Sequence, residues 1–214
     1  MNLFSYNSAF SRFLYFVADV VTLHILWILY SLPLITIGAS TTALYYSCMK
    51  RIRTGEGYVS QNFRKAFRQN FRQSTILWLG LAAVSLLFFL DIRISMALQN
   101  TMGRIMLISC SVFLIPFILL ALYIFPVQAK FENKIFNNIK NALLMSIRHF
   151  FYSLLLLMIY ATIVLLGFSF PPFMGLFLCC GIGLTAYLTS NIFIYIFISS
   201  YFLWLLFFLH VSIL

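Results

Sequence analysis

The stretch SLPLITIGASTTALYYSCMK, residues 31–50, decides how the first membrane segment of this chain is built. It follows an apolar run and contains a proline, a glycine and six Ser or Thr side chains before its lysine. Pro33 has no backbone N–H, and its ring clashes with the carbonyl of Leu29, so the helix is predicted to kink or stop there. The sequence therefore predicts an interrupted helix at membrane depth.

The residues after Pro33 supply what such an interruption needs. Gly38 permits backbone angles that other residues avoid. Four hydroxyl side chains are predicted to satisfy the freed backbone groups: Thr36, Ser40, Thr41 and Thr42. Irregular backbone at membrane depth is tolerated only beside protein or a wet cavity. We expect a non-helical break over residues 34–40 and a short helix over 41–53 near the cytoplasmic face. The segment is either an interfacial helix–loop–helix or a loop that lines a substrate path.

Composition places the whole chain in a membrane. Of its 214 residues, 63% are hydrophobic and 8% are charged, whereas soluble domains carry about 25% charged residues. A bilayer span takes about 20 apolar residues, and five runs qualify: residues 13–32, 75–92, 105–125, 150–168 and 173 onward. The predicted fold is all-α, a polytopic transmembrane helical bundle of five spans with two amphipathic cytoplasmic helices. It forms a single integral membrane domain, residues 1–214.

The end of the chain leaves a sixth span as an alternative. Residues 149–214 contain no Lys, Arg, Asp or Glu, and residues 192–214 are long enough to cross a bilayer again. A sixth crossing would need a reversal within residues 189–191, which is very tight. Five spans are therefore predicted, and residues 198–214 are treated as an apolar C-terminal extension.

Loop charges predict the orientation. Seven Lys and Arg lie between the first and second runs and four between the third and fourth, against three on the other side. By the positive-inside rule, both basic segments are cytoplasmic and the N-terminus is outside. A hairpin within residues 13–49 would move the first basic segment outside, so no hairpin is expected.

Both basic segments are predicted to form amphipathic helices. In FRKAFRQNFRQS, residues 63–74, phenylalanines recur at every fourth position beside a row of arginines. Such a helix rests its aromatic face in the headgroup region of a bilayer and offers arginines to anionic lipid. Residues 135–147 are likewise predicted to form a helix with one apolar and one polar face. The candidate contacts with lipid or with a cytoplasmic partner lie beside these stripes: Arg64, Arg68, Arg72, Lys140 and Asn141.

Little in the sequence supports catalysis. The chain has four carboxylates and three histidines, and it lacks the HExxH, GxSxG, Walker A and GxGxxG patterns. We predict no enzymatic activity, no cofactor, no metal and no nucleic acid. Asp19 is ionisable within the first span, which is by default a functional hypothesis. It is expected to reach water or to pair with Arg93, and a transport or proton role is the alternative.

Four stretches of the chain occur together in a specific order: LWILYSLPLITIGASTTALYY, NFRKAFRQNFRQS, FPVQAKFENKIFNNIKNALLMSIRH and AYLTSNIFIYIF. Together they resemble the YesL family, small integral membrane proteins of Gram-positive bacteria, mostly Firmicutes, over roughly residues 4–197. The family's domain has no established function and supplies no catalytic residues. Its genes often lie beside genes for carbohydrate ABC-importer components, so the resemblance implies that importer subunits are possible partners. The uncharged end departs from the charged tail that is usual in the family.

Two classes of function follow. The first is an accessory or regulatory membrane protein that contacts subunits of a carbohydrate ABC importer. The second is a stand-alone transporter or channel, with Asp19 and the segment from Pro33 to Thr42 beside its path. Secondary transporters usually have paired broken helices, whereas this sequence has one convincing break. That difference favours the accessory class.

Overall fold

The computed structural model describes residues 9–55, 57–98, 100–169, 177 and 181–213, with residues 9, 168 and 201–213 as backbone only. The described residues form seven α-helices and no strand, which confirms the all-α prediction. A 3-10 turn, Leu34–Thr36, joins the first two helices. In chain order the helices are α1 (Ala9–Ser31), α2 (Ile37–Thr54), α3 (Val59–Ala97), α4 (Thr101–Lys130), α5 (Ile135–Arg148), α6 (Phe150–Ser169) and α7 (Ile182–Ile213).

Five of these helices are long and apolar enough to cross a membrane: α1, α3, α4, α6 and α7. Their number equals the five predicted apolar spans by length and composition, and the chain has the make-up of a multi-pass membrane protein. Helix α7 continues without interruption through residues 189–191, so the reversal that a sixth crossing required there does not occur. Residues 198–213 belong to this same helix.

The break after α1 lies where Pro33 predicts it but is shorter than predicted. Helix α2 already begins at Ile37, so the expectation of non-helical backbone through residue 40 is wrong. Hydrogen bonds of Thr36 explain why the turn is short. Its hydroxyl donates to the carbonyl oxygens of Tyr30, at 2.5 Å, and Pro33, at 2.7 Å. The hydroxyl therefore gives the Tyr30 carbonyl a partner near the proline break, whereas the Pro33 carbonyl also accepts the backbone N–H of Thr36 over 2.8 Å.

Helices α1 and α2 form an antiparallel hairpin, so the expectation of no hairpin is wrong. Asp19, in the middle of α1, forms an ion pair with Arg51, late in α2. Closer to the turn, the indole N–H of Trp27 donates to Thr41 over 3.1 Å. The physical reason is that contacts between residues far apart in the sequence hold α2 against α1. The count of Lys and Arg in the loops takes no account of such contacts. Residues 51–54 therefore lie level with the N-terminal half of α1.

Helix α3 is antiparallel to α2 and continues past the hairpin turn. Lys50 contacts Asn62, and the indole N–H of Trp78 donates to the carbonyl of Leu34. Since α1 and α3 are both antiparallel to α2, they run in the same direction. Helix α4 then returns along α3, with the rings of Phe88 and Phe117 5.2 Å apart.

The predicted amphipathic helix over residues 63–74 is the first part of α3, which is 39 residues long. Its phenylalanines do not all face lipid, and that part of the prediction is wrong. Phe63 is fully buried and packs in a cluster with Leu23 of α1 and Leu44 of α2. Phe67 packs on Tyr30, with ring centroids 4.7 Å apart, whereas Phe71 remains exposed. The apolar face is covered by the hairpin because α1 and α2 offer it a complementary surface.

Candidate functional site

The hydroxyl side chains after the break join helices to one another. Thr42 and Ser74 share a hydrogen bond between α2 and α3 over 2.9 Å, and Thr41 accepts one from Trp27. Thr41 and Thr42 also donate back to carbonyls one turn earlier in α2. Of the predicted residues, therefore, Thr36 satisfies carbonyls at the break, whereas Thr41 and Thr42 bind neighbouring helices. Ser40 is buried, and its hydroxyl has no hydrogen-bond partner within the described part of the chain.

Gly38 has a role other than backbone freedom, because it lies within a regular helix. A Cβ placed on it would lie 2.5 Å from the carbonyl oxygen of Ser74 and 2.6 Å from the Cβ of Trp78. It would also lie 3.1 Å from the ring of Phe125 on α4. The absence of a side chain thus lets α2 approach α3 and α4 closely, as small residues do between membrane helices.

Asp19 pairs with Arg51, and the expectation that it pairs with Arg93 is wrong. The Nε of Arg51 lies 2.7 Å from a carboxylate oxygen of Asp19, and the side chains are only 18% and 16% exposed. Arg51 also donates to the carbonyl of Gly55, which ends α2 in the left-handed conformation at φ 70°. Because α2 folds back on α1, the cation nearest to Asp19 comes from the first basic segment. The pair secures the end of the hairpin to the α2–α3 turn.

The candidate contact residues form two sets, the arginines of α3 and the pair Lys140 and Asn141 of α5, and the structure places the two sets apart. Arg64, Arg68 and Arg72 are exposed on α3, on the side away from the buried Phe63. On α5, Lys140 is exposed and Asn141 is half-buried. Asn141 faces a cavity of about 530 Å³, whose lining includes Arg148 and Phe197. The two sets lie on different helices and do not merge into one cluster.

A group of amide side chains holds α3, α4 and α5 together, and no pattern in the sequence predicted it. Gln128 of α4 donates to Asn70 of α3 over 3.2 Å and accepts a hydrogen bond from Asn138 of α5. Gln73 of α3 donates to the carbonyl of Asn133 over 2.6 Å. Asn138 is fully buried on α5. The only sequence signal was a glutamine at the end of an apolar run, which is weak without knowledge of its partners.

A second polar group lies between the spans and was also missed. Tyr45 of α2 lies within hydrogen-bond distance of Tyr160 on α6, at 2.8 Å, and of Thr189 on α7, at 3.3 Å. Tyr123 of α4 and Ser153 of α6 share a hydrogen bond over 2.8 Å. Polar side chains of this kind bind membrane helices together. They join residues up to 144 positions apart, which no local pattern reveals.

A family model described as "Protein of unknown function, DUF624" matches residues 20–92 of the 214-residue chain. The matched part takes in about half of α1, all of α2 and most of α3, and therefore includes the break, Gly38 and the arginine row. The match is consistent with the resemblance to YesL-type proteins. No curated protein and no solved structure matches the chain.

Proposed function

We propose that this protein is an accessory or regulatory membrane subunit that contacts components of a carbohydrate ABC importer. The observation that supports the proposal is the arginine row of α3, namely Arg64, Arg68 and Arg72. Phe63, on the other face of the helix, is fully buried against the hairpin, so the row is presented by a fixed support. Arginine suits such a surface because its planar guanidinium pairs with carboxylates through two parallel hydrogen bonds. The importer as partner rests on the resemblance to the YesL family.

The polar groups between the spans favour this proposal over a transporter that works alone. Thr42 pairs with Ser74, Tyr45 with Tyr160, and Tyr123 with Ser153. Asp19 is neutralised by Arg51. Side chains that pair with one another between helices are not directed at a solute. A transporter would instead place polar groups around a shared cavity near the bilayer midplane.

The experiment is affinity purification of the tagged protein from its native host in mild detergent, followed by mass spectrometry. Recovery of importer permease or solute-binding subunits is expected. Recovery of the protein alone, together with sugar flux in proteoliposomes that contain nothing else, would favour the transporter and overturn the proposal.

Charge reversal in the arginine row should weaken this association without unfolding the spans. Arg68→Glu places a carboxylate against the carboxylates of the partner, and like charges at an interface are strongly unfavourable, so we expect at least about tenfold weaker recovery of partner subunits. Arg104→Glu is the matched control, because it makes the same charge change at an exposed position at the start of α4. If the two variants recover equal amounts of partner, the arginine row does not form the contact.

The proposed orientation keeps both basic segments in the cytoplasm. Because α1 and α3 run in the same direction, the N-terminal end of α1 then also lies on the cytoplasmic side, in contrast to the expectation from loop charges. A Cβ on Gly57, in the turn between α2 and α3, would lie 3.9 Å from the carboxylate of Asp19. The α2–α3 turn and the first half of α1 are therefore at one level.

Cysteine labelling tests this orientation. Single cysteines at Arg12, Gly57 and Asn137, in a protein otherwise free of cysteine, should resist a membrane-impermeant maleimide in intact cells and react after permeabilisation. A cysteine at the exposed Met102, at the other end of α3 and α4, should react in intact cells. Labelling of Arg12→Cys from outside, with Gly57→Cys protected, would restore the orientation with the N-terminus outside and contradict the antiparallel hairpin.

A further inference from the structure

A cavity of about 640 Å³ lies between α2, the end of α4 and α7, away from the arginine row. Three cations line it: Lys50 and Arg53 from α2 and Lys130 from α4. Lys50 and Lys130 are half-buried, and Arg53 is exposed. The remaining lining residues are apolar or uncharged, so the described lining contains no carboxylate.

These three positive charges have no counter-ion in the described part of the chain. Lys50 donates to Asn62 over 2.8 Å, but an amide oxygen does not neutralise its charge. Asp19 forms the single ion pair among the described residues, and its partner is Arg51, which does not line the cavity. Like charges held close together in a partly dry site repel one another. The cavity therefore favours an anion.

The opposite wall of the cavity indicates what kind of anion fits. It is apolar and comes largely from α7, through Ile194, Phe197 and Ile198, with Met49 of α2 beside them. Helix α7 is a candidate span, and Ile198 is exposed on its surface. Inorganic phosphate would make no use of such a wall. A ligand with an anionic head and hydrocarbon chains would place each part against a matching surface.

We propose that this cavity binds an anionic phospholipid, with the phosphate against Lys50, Arg53 and Lys130 and an acyl chain along α7. Basic pockets between membrane helices are the usual sites for acidic lipid headgroups. The site is separate from the importer contact, because none of its cations belongs to the arginine row. The bound lipid would bridge the C-terminal ends of α2 and α4 and the middle of α7.

The experiment is native mass spectrometry of the purified full chain, titrated with phosphatidylglycerol, phosphatidylcholine or inorganic phosphate. We expect a single retained phosphatidylglycerol and weaker retention of the zwitterionic lipid. The double variant Arg53→Gln/Lys130→Gln should weaken binding about 25-fold, from about a factor of five for each cation removed. The control Arg64→Gln/Arg68→Gln removes the same charge from the exposed arginine row and should retain the lipid as the unmodified protein does.

A further variant tests the apolar wall and does not depend on the folding of the charge variant. Ile198→Trp leaves all three cations in place and should weaken phosphatidylglycerol binding by obstructing the acyl chain. Equal loss of lipid in the cavity variant and in the arginine-row control would overturn the proposal. So would equal binding of the two lipids, or a phosphate affinity that matches that of phosphatidylglycerol, which would indicate a site for free anions.

Discussion

Replacing Gly38 with alanine should destabilise the folded protein by about 1–3 kcal/mol, the range for an overpacked core. The added methyl group would lie 2.5 Å from the Ser74 carbonyl oxygen and 2.6 Å from the Trp78 Cβ. Both atoms are fixed by the backbone of α3, so neither moves away unless the helix moves. Helix propensity alone would predict the opposite change in the free energy of unfolding, because alanine favours a helix over glycine by about 1 kcal/mol.

Gly80→Ala is the matched control for this prediction. It makes the same chemical change inside α3, where an added Cβ would meet no other atom within 4 Å. We expect this variant to be unchanged or more stable by up to about 1 kcal/mol. Thermal unfolding in detergent, followed by circular dichroism and by size-exclusion chromatography, compares the two. Equal midpoints would show that α2 does not approach α3 as closely as described.

Replacing Asp19 with asparagine should destabilise the hairpin by about 2–3 kcal/mol, less than for a fully buried pair because both side chains keep some exposure. The substitution leaves the Arg51 guanidinium in a poorly solvated position without its counter-ion. Arg51 also donates to Gly55, so the turn between α2 and α3 should loosen. Hydrogen exchange in liposomes should become faster at residues 51–58 and stay unchanged in α6.

A double-mutant cycle separates the ion pair from the other effects of these substitutions. Removing both charges, with Asp19→Asn and Arg51→Gln, should cost less than the sum of the single changes, because no unpaired charge remains. Asp91→Asn is the control, since it makes the same chemical change at a carboxylate outside the ion pair. Additive effects of the two single substitutions would show that Asp19 and Arg51 are not coupled.

The spacing of arginine and phenylalanine in residues 63–74 shows which structural features the sequence can predict and which it cannot. The spacing predicted a helix with an aromatic face and a cationic face, and both are present in α3. A period shows that a face is apolar but does not show whether lipid or protein covers it. Phe63 is covered by α1 and α2, which follows from the three-dimensional arrangement.

The break after α1 shows a second limit. Proline chemistry acts within one helical turn, so the sequence predicted where α1 ends. The length of the break depended on Thr36, whose hydroxyl lies within hydrogen-bond distance of the Tyr30 carbonyl and whose backbone N–H donates to the Pro33 carbonyl, directly before α2 begins at Ile37. The position of Gly38 was predicted to matter, but its reason, close approach to Ser74 and Trp78, needed the packed helices.

The sequence by itself determined the helical membrane class and the five apolar spans, because hydropathy and length are properties of contiguous residues. The tertiary structure alone decided the direction of α2, the partner of Asp19 and the grouping of Lys50, Arg53 and Lys130. Each of these depends on contacts between residues far apart in the chain. A one-dimensional pattern shows which side chains are polar or charged, whereas their neighbours are set by how the helices pack.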